Sequence, residues 1–254
     1  MTRSIFTQTL KEQRRGLIGW SIGFAIIPMM YLPSYQSLKE QGSLDLEQNK
    51  MYDAMGVNDF ASSSGYLNAT VYSLMGLLLM LIFAVTFASR SVAQEENGML
   101  DLLLAQPISR MNLLLQRFAA LAVQIATATT VLTLSVIAGT DAGGLDVPTG
   151  NIVAASVGLG LLALVVGAIT LLVGAATGKR SVTLGSASLI AVAGYLANNL
   201  GGDFVRTLSP FYWANGDAPL MHGWNGTHLA VLVVVAAIAV VLALGAFDRR
   251  DLAV

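Results

Sequence analysis

Long apolar stretches alternate with short polar segments along the whole chain. Six of them approach the length of about 20 residues that a helix needs to cross the hydrocarbon core of a bilayer. They cover residues 17–35, 66–89, 113–138, 152–177, 182–200 and 229–247. The fifth stretch is the weakest because Asn198 and Asn199 lie at its end. The pattern predicts an all-α integral membrane protein with six transmembrane helices in a single domain, residues 1–254.

The composition is too apolar for a soluble domain. Of the 254 residues, 55% are hydrophobic and 11% are charged, against about 25% charged residues in a typical soluble domain. The net charge of −1 is uninformative about nucleic acid, and no basic block suggests a nucleic-acid partner. The chain has no cysteine, which excludes a disulfide scaffold and thiol chemistry. The first apolar stretch is too long for a secretory signal, and no small-x-small cleavage site follows it.

Lysine and arginine lie mostly on one side of the predicted membrane. With the N-terminus in the cytoplasm, 11 of the 14 basic residues fall in cytoplasmic segments. The outer segments hold only Lys39, Lys50 and Arg206. Because positive charge is retained on the cytoplasmic side, the sequence predicts a multi-pass plasma-membrane protein with both termini in the cytoplasm.

The N-terminal segment, residues 4–15, combines apolar and basic positions. Phe6 and Leu10 lie one helical turn apart, while Lys11, Arg14 and Arg15 are charged. This pattern predicts an amphipathic helix in the plane of the lipid headgroups. An ordinary basic flank of the first span fits the same residues equally well.

The third outer loop carries the string LSPFYW at residues 208–213. Aromatic side chains at this height are typical of the interfacial belt of membrane proteins. That interpretation is favoured over a substrate gate.

The segment between the second and third spans, residues 90–112, is the most strongly patterned polar stretch. Glu95 and Glu96 are placed for a helix start, where acidic groups favour the helix dipole. Leu100, Leu103 and Leu104 then share one helical face. The spacing predicts a short, apolar-faced helix at the cytoplasmic mouth. Periodicity alone is equally consistent with a loop helix that packs on its own bundle.

The same segment contains a residue that ends a helix and a residue that favours the start of the next one. Pro107 ends the predicted short helix, because its ring cannot continue the hydrogen-bond ladder. Ser109 is of the residue type that caps a helix N-terminus, directly before Arg110 and the third span. We therefore predict that a new helix begins after Ser109.

The string from Glu95 to Arg110 resembles the signature of type-2 export-class permeases of ABC transporters. The positions that match are Glu95, Glu96, Gly98, Leu102, Leu103, Pro107, Ser109 and Arg110, with Met99 standing where threonine is usual. The LSPF string before the last span is also similar to these permeases. The resemblance extends to the six-span layout and the amphipathic N-terminal helix.

This resemblance implies a transport subunit that forms a translocation pathway. The segment 90–112 would be a coupling helix that docks, through the matching residues, on a separate ATP-binding subunit. ATP and Mg²⁺ would be held by that partner, and no cofactor by this chain. Two permease copies, identical or homologous, would export a hydrophobic or amphipathic compound such as a lipid, a drug or an antibiotic-like molecule.

The chain carries no phosphate-binding loop of its own. Gly178-Lys179-Arg180-Ser181 lacks both the upstream glycine and the Ser or Thr directly after lysine that this loop requires. We therefore expect that the chain is not an enzyme and that any ATPase is a different chain.

Mild polar residues lie inside the predicted spans. Gln124, Thr127 and Thr130 in the third span are candidates for lining a pathway. Threonine in a helix is well satisfied by its own backbone, which favours packing instead.

Two other classes of protein are weaker alternatives. A secondary transporter or channel would need no ATPase, but no Asp, Glu, Lys or His lies near the middle of a span and no inverted repeat is evident. An intramembrane Ser–His protease has only His222 and His228 to draw on, both near the outer end of the last span, and no G-x-S-G string. Two histidines without cysteine do not predict a metal site.

Overall fold

The computed structural model describes residues 4–41, 62–96 and 109–249. These residues form helices and short connections, and none of them lies in a β-strand. A 3-10 turn, Leu32–Ser34, joins the first two helices, and a π-helix, Asn68–Met75, lies between the third and the fourth. The α-helices are α1 Ile5–Tyr31, α2 Tyr35–Glu40, α3 Ser63–Leu67, α4 Gly76–Glu96, α5 Arg110–Gly143, α6 Thr149–Thr177, α7 Arg180–Leu200, α8 Asp203–Leu208, α9 Pro210–Asn215, α10 Pro219–His222 and α11 Gly226–Asp248.

Six helical stretches are long and apolar enough to cross a membrane, which confirms the predicted all-α fold with six spans. They are Ile5–Glu40, Ser63–Arg90, Arg110–Gly143, Thr149–Thr177, Arg180–Leu200 and Gly226–Asp248. Six crossings return a chain to the side on which it started. We call that side, where α1 begins and α11 ends, the proximal end, and the opposite side the distal end.

The centre of the bundle is α6, and small residues explain its position. Its buried residues include glycines and alanines on several faces, so that neighbouring helices come close. At Gly158, a Cβ atom would lie 2.8 Å from the carbonyl oxygen of Ala214 in α9. The helices α4, α5, α7, α9 and α11 pack around α6, and α7 buries only Thr183, Ala187 and Ala191.

The N-terminal segment and the first span form one continuous helix, α1. A separate helix in the headgroup plane would need a break between them, and α1 has none. Instead the start of α1 packs on α5, since Gln116 Oε1 accepts hydrogen bonds from the Ser4 hydroxyl (3.1 Å) and the Phe6 amide (3.0 Å). Ile5 is buried against Leu113 and other apolar residues of the proximal end. These contacts hold the segment against the bundle and in line with the span.

Three short helices, α8 to α10, fold over the distal end. Ser209 places α9: its hydroxyl donates to the carbonyl of Gly194 in α7 (2.7 Å) and accepts from the amide of Phe211 (3.2 Å). Pro210 and Pro219 occupy the first positions of α9 and α10, where a missing N–H costs nothing. Phe211 is buried, so within the LSPFYW string this ring belongs to the core and not to the interfacial belt.

Candidate functional site

The segment 90–112 is described only at its two ends. We predicted a helix start at Glu95 and Glu96, and this is wrong: both residues continue α4 to its C-terminus. Arg90 to Glu96 contain good helix formers and neither glycine nor proline, so nothing stops the helix before that point. Gly98, Leu102, Leu103 and Pro107 lie outside the described residues, and their docking role stays a prediction.

The start of α5 follows the sequence prediction. Ser109 is the N-cap in an extended conformation, and its hydroxyl accepts a hydrogen bond from the Asn112 amide at 3.3 Å. Arg110 is the first residue of α5. The predicted cap is confirmed, and it anchors a helix that continues for 34 residues to Gly143.

The three candidate pathway residues have different surroundings. Thr127 and Thr130 are exposed on one side of α5, and their hydroxyls donate to the carbonyls of Val123 and Ala126 in their own helix (2.8 Å each). Gln124 is buried, and its Nε2 donates to Oε1 of Gln13 at 3.2 Å. Their contribution to a pathway stays a prediction.

Gln13, Gln124 and Arg117 form a buried polar group, the proximal cluster, between α1 and α5. Gln124 is 1% exposed, and Gln13 and Arg117 are each 7% exposed. Arg117 also interacts electrostatically with Glu12. Sequence reasoning counted Arg117 only as a cytoplasmic charge and passed over Gln13. The proximal cluster fixes α1 on α5, because separating the two helices would break a buried hydrogen bond.

A cavity of about 250 Å³ lies at the distal end, and we call it the distal cavity. It is enclosed by the π-helix, α6, α7 and the short helices α8 to α10. Its polar lining consists of Ser64, Asn68, Tyr72, Ser73, Tyr195, Asn198, Asn199, Arg206 and Asn215. Leu77, Leu159, Leu162 and Phe211 are among its apolar lining residues.

Four asparagine side chains line the distal cavity in two hydrogen-bonded pairs. Nδ2 of Asn215 donates to Oδ1 of Asn68 at 3.1 Å, which joins α9 to the π-helix. Nδ2 of Asn198 donates to Oδ1 of Asn199 at 3.1 Å. The other atoms of this second pair, Asn198 Oδ1 and Asn199 Nδ2, are buried and have no hydrogen-bond partner among the described residues.

The π-helix forms one wall of the distal cavity. Its last turn is closed by the Gly76 amide, which donates to the carbonyl of Val71, five residues earlier. A side chain at Gly76 would clash, since a Cβ atom there would lie 2.6 Å from that carbonyl oxygen. Tyr72 anchors the wall on α6: its hydroxyl lies 2.7 Å from that of Ser156 and 3.2 Å from the carbonyl of Ile152. Such local departures from the α-helix often occur at functional sites.

Another part of the lining is aromatic, and among the described lining residues Arg206 carries a positive charge. The rings of Phe211 and Tyr195 pack edge to face with their centroids 5.9 Å apart. The guanidinium of Arg206 lies over the ring of Tyr212, 5.3 Å from its centroid. Arg206 is exposed, which places the charge at the mouth. From the sequence alone, Asn198 and Asn199 are notable only because polar residues at its end make the fifth span less apolar.

Comparison with known proteins identifies the family of this chain. The family model described as the C-terminal domain of the multidrug efflux system permease Rv1217c matches residues 3–248. None of the curated proteins matches the chain. The chain therefore belongs to this family of multidrug efflux permeases, and with its six apolar helices it is a multi-pass membrane permease.

Proposed function

We propose that this permease is the transmembrane subunit of an ATP-driven ABC exporter of the type-2 class. A separate ATP-binding subunit docks on the segment 90–112, and two permease copies form the pathway for a hydrophobic or amphipathic compound. The family match over residues 3–248 is the observation that carries the proposal, since it makes the chain an efflux permease. The ATP-driven class is inferred from the resemblance of the residues from Glu95 to Arg110 to the signature of type-2 ABC permeases.

The charge distribution supports a cytoplasmic proximal end. Among the described basic residues, only Lys39 and Arg206 lie at the distal end. Arg90 and Arg180 lie at the proximal ends of α4 and α7, and Arg90 stacks on the ring of Phe87 at 4.5 Å. By the positive-inside rule this end faces the cytoplasm, where an ATP-binding subunit resides.

The length of α5 supports mechanical coupling. Its 34 residues rise by about 1.5 Å each, which gives a rod of about 50 Å. The Ser109 cap begins this rod within the segment 90–112, and the proximal cluster ties it to α1. A displacement at the docking segment would therefore move α5 and α1 together.

The proposal is tested by reconstituting the permease in proteoliposomes with and without a candidate ABC ATP-binding subunit from the same genome. We expect Leu102→Glu/Leu103→Glu to lower ATP-dependent export at least about tenfold, because a docking contact of this kind is concentrated in a few apolar residues. Gln106→Glu is the matched control: it adds a charge to the same segment outside the signature and leaves export unchanged.

Transport that continues at the same rate without any ATPase would contradict the proposal. If that transport followed an imposed ion gradient, the chain would be a secondary transporter, the alternative class.

A further inference from the structure

The distal cavity buries two polar atoms that have no hydrogen-bond partner in the described part of the chain. Asn198 Oδ1 and Asn199 Nδ2 have no partner among the described residues, although both atoms are buried. Leaving such groups unpaired costs stability, and buried polar groups in native proteins are nearly always bonded. The pair thus has hydrogen-bonding capacity that a bound molecule can fill.

The chemistry of the pair defines the group that fits it. One hydrogen bond joins the two amides, so one carbonyl oxygen and one amide nitrogen remain. If both amides were turned around, the pair would still offer one acceptor and one donor. A complementary group must therefore donate and accept at once, as an amide or a hydroxyl does and a carboxylate does not.

The charge of the lining indicates that the group bound in the cavity is uncharged. Within the described part of the lining, Arg206 is the charged residue and no carboxylate is present. A cation would meet like charge at the mouth and find no anion among the described lining residues, so its desolvation would not be compensated there. A neutral group has no such penalty.

The apolar wall and the volume indicate what the neutral group is attached to. Leu77, Leu159 and Leu162 border the same space as the asparagines, so polar and apolar partners lie side by side. The volume of about 250 Å³ is slightly below the range of about 300–1,000 Å³ that accommodates whole small-molecule ligands. The cavity has room for a head group and the beginning of a chain.

We infer that the distal cavity binds the head group of an uncharged amphipathic molecule, through an amide or hydroxyl group held by Asn198 and Asn199. Arg206 at the mouth disfavours cationic amphiphiles. The inference rests on the proposed function in treating the occupant as cargo, but binding itself requires only this chain.

The absence of cysteine from the chain provides a direct assay. Ser73→Cys places one thiol in the lining with almost no change in side-chain shape. In lipid nanodiscs, its reaction with methyl methanethiosulfonate is measured in the presence of three octyl amphiphiles below their micelle concentrations. These are octanoyl-N-methylglucamide, which is neutral, octanoate, which is anionic, and octyltrimethylammonium, which is cationic.

We expect octanoyl-N-methylglucamide to slow the reaction about tenfold, a difference of about 1.4 kcal/mol, and octyltrimethylammonium to leave it unchanged. Asn198→Leu/Asn199→Leu keeps the size of both side chains and removes the protection. Ser188→Ala is the matched control, because this side chain is exposed on α7 outside the cavity lining, and it keeps the protection.

A second measurement does not depend on any variant. The neutral amphiphile should raise the thermal unfolding temperature of the unmodified chain more than the other two, since a ligand of the folded state stabilises it. Equal effects of all three head groups, or no effect of any, would overturn the inference. Protection without ATP-dependent export would refute only the proposed function, and ATP-dependent export without protection would refute only the inference.

Discussion

The two ends of the bundle both bury amide side chains, but they complete their hydrogen bonds differently. In the proximal cluster, Gln124 donates to Gln13 across α5 and α1, and among the described residues neither side chain has a fully buried polar atom without a partner. In the distal cavity, the bond between Asn198 and Asn199 leaves a buried donor and a buried acceptor without a partner in the described part of the chain. A hydrogen bond between two helices holds them together, whereas a buried donor and acceptor without partners can bind a ligand. We therefore assign a structural role to the proximal cluster and a binding role to the distal pair.

The largest expected effect on stability is at the proximal cluster. Gln124→Leu leaves Gln13 buried without its partner, which costs about 1–3 kcal/mol. The free energy of unfolding, measured by denaturant titration in detergent micelles, should fall by this amount. Gln13→Leu/Gln124→Leu removes both partners and should recover much of the loss. A double variant as unstable as the sum of the two single variants would show that the two side chains are not coupled.

A smaller effect is expected where the docking segment meets the bundle. Ser109→Ala removes the N-cap of α5 and should cost about 1 kcal/mol, measured by the same titration. Ser109→Asp retains an acceptor for the Asn112 amide and serves as the control. If alanine and aspartate behaved alike, the cap would not contribute to stability.

The smallest effect is expected at the distal pair. Asn198→Leu/Asn199→Leu replaces both partners by apolar groups of similar size, which is nearly neutral or stabilising. The unfolding free energy should stay within about 0.5 kcal/mol of the unmodified chain or rise. A loss as large as that of Gln124→Leu would remove the contrast between the two ends and give both a structural role.

The six spans and the Ser109 cap could be predicted from the sequence because both depend on residues that are close together in the chain. A bilayer demands long apolar helices whatever their neighbours, so run length alone predicts them. A cap depends on residues within one turn, and Ser109 and Asn112 are three positions apart.

The features missed by the sequence depend on contacts between distant residues. Gln13 and Gln124 are separated by 111 positions, and Asn68 and Asn215 by 147. The start of α1 packs on Gln116, and α4 continues through Glu95 and Glu96, the acidic pair that predicts a helix start. Neither periodicity nor residue type reports which distant side chains will meet.

The central claim is that the proximal end faces the cytoplasm and receives the ATP-binding subunit, while the distal cavity lies on the other side. Because the chain has no cysteine, single thiols at Asn97→Cys and Thr207→Cys can report on the two ends. Intact cells are treated with a membrane-impermeant maleimide, before and after permeabilisation. We expect Thr207→Cys to react in intact cells and Asn97→Cys to react only after permeabilisation. Labelling of Asn97→Cys in intact cells would contradict the account.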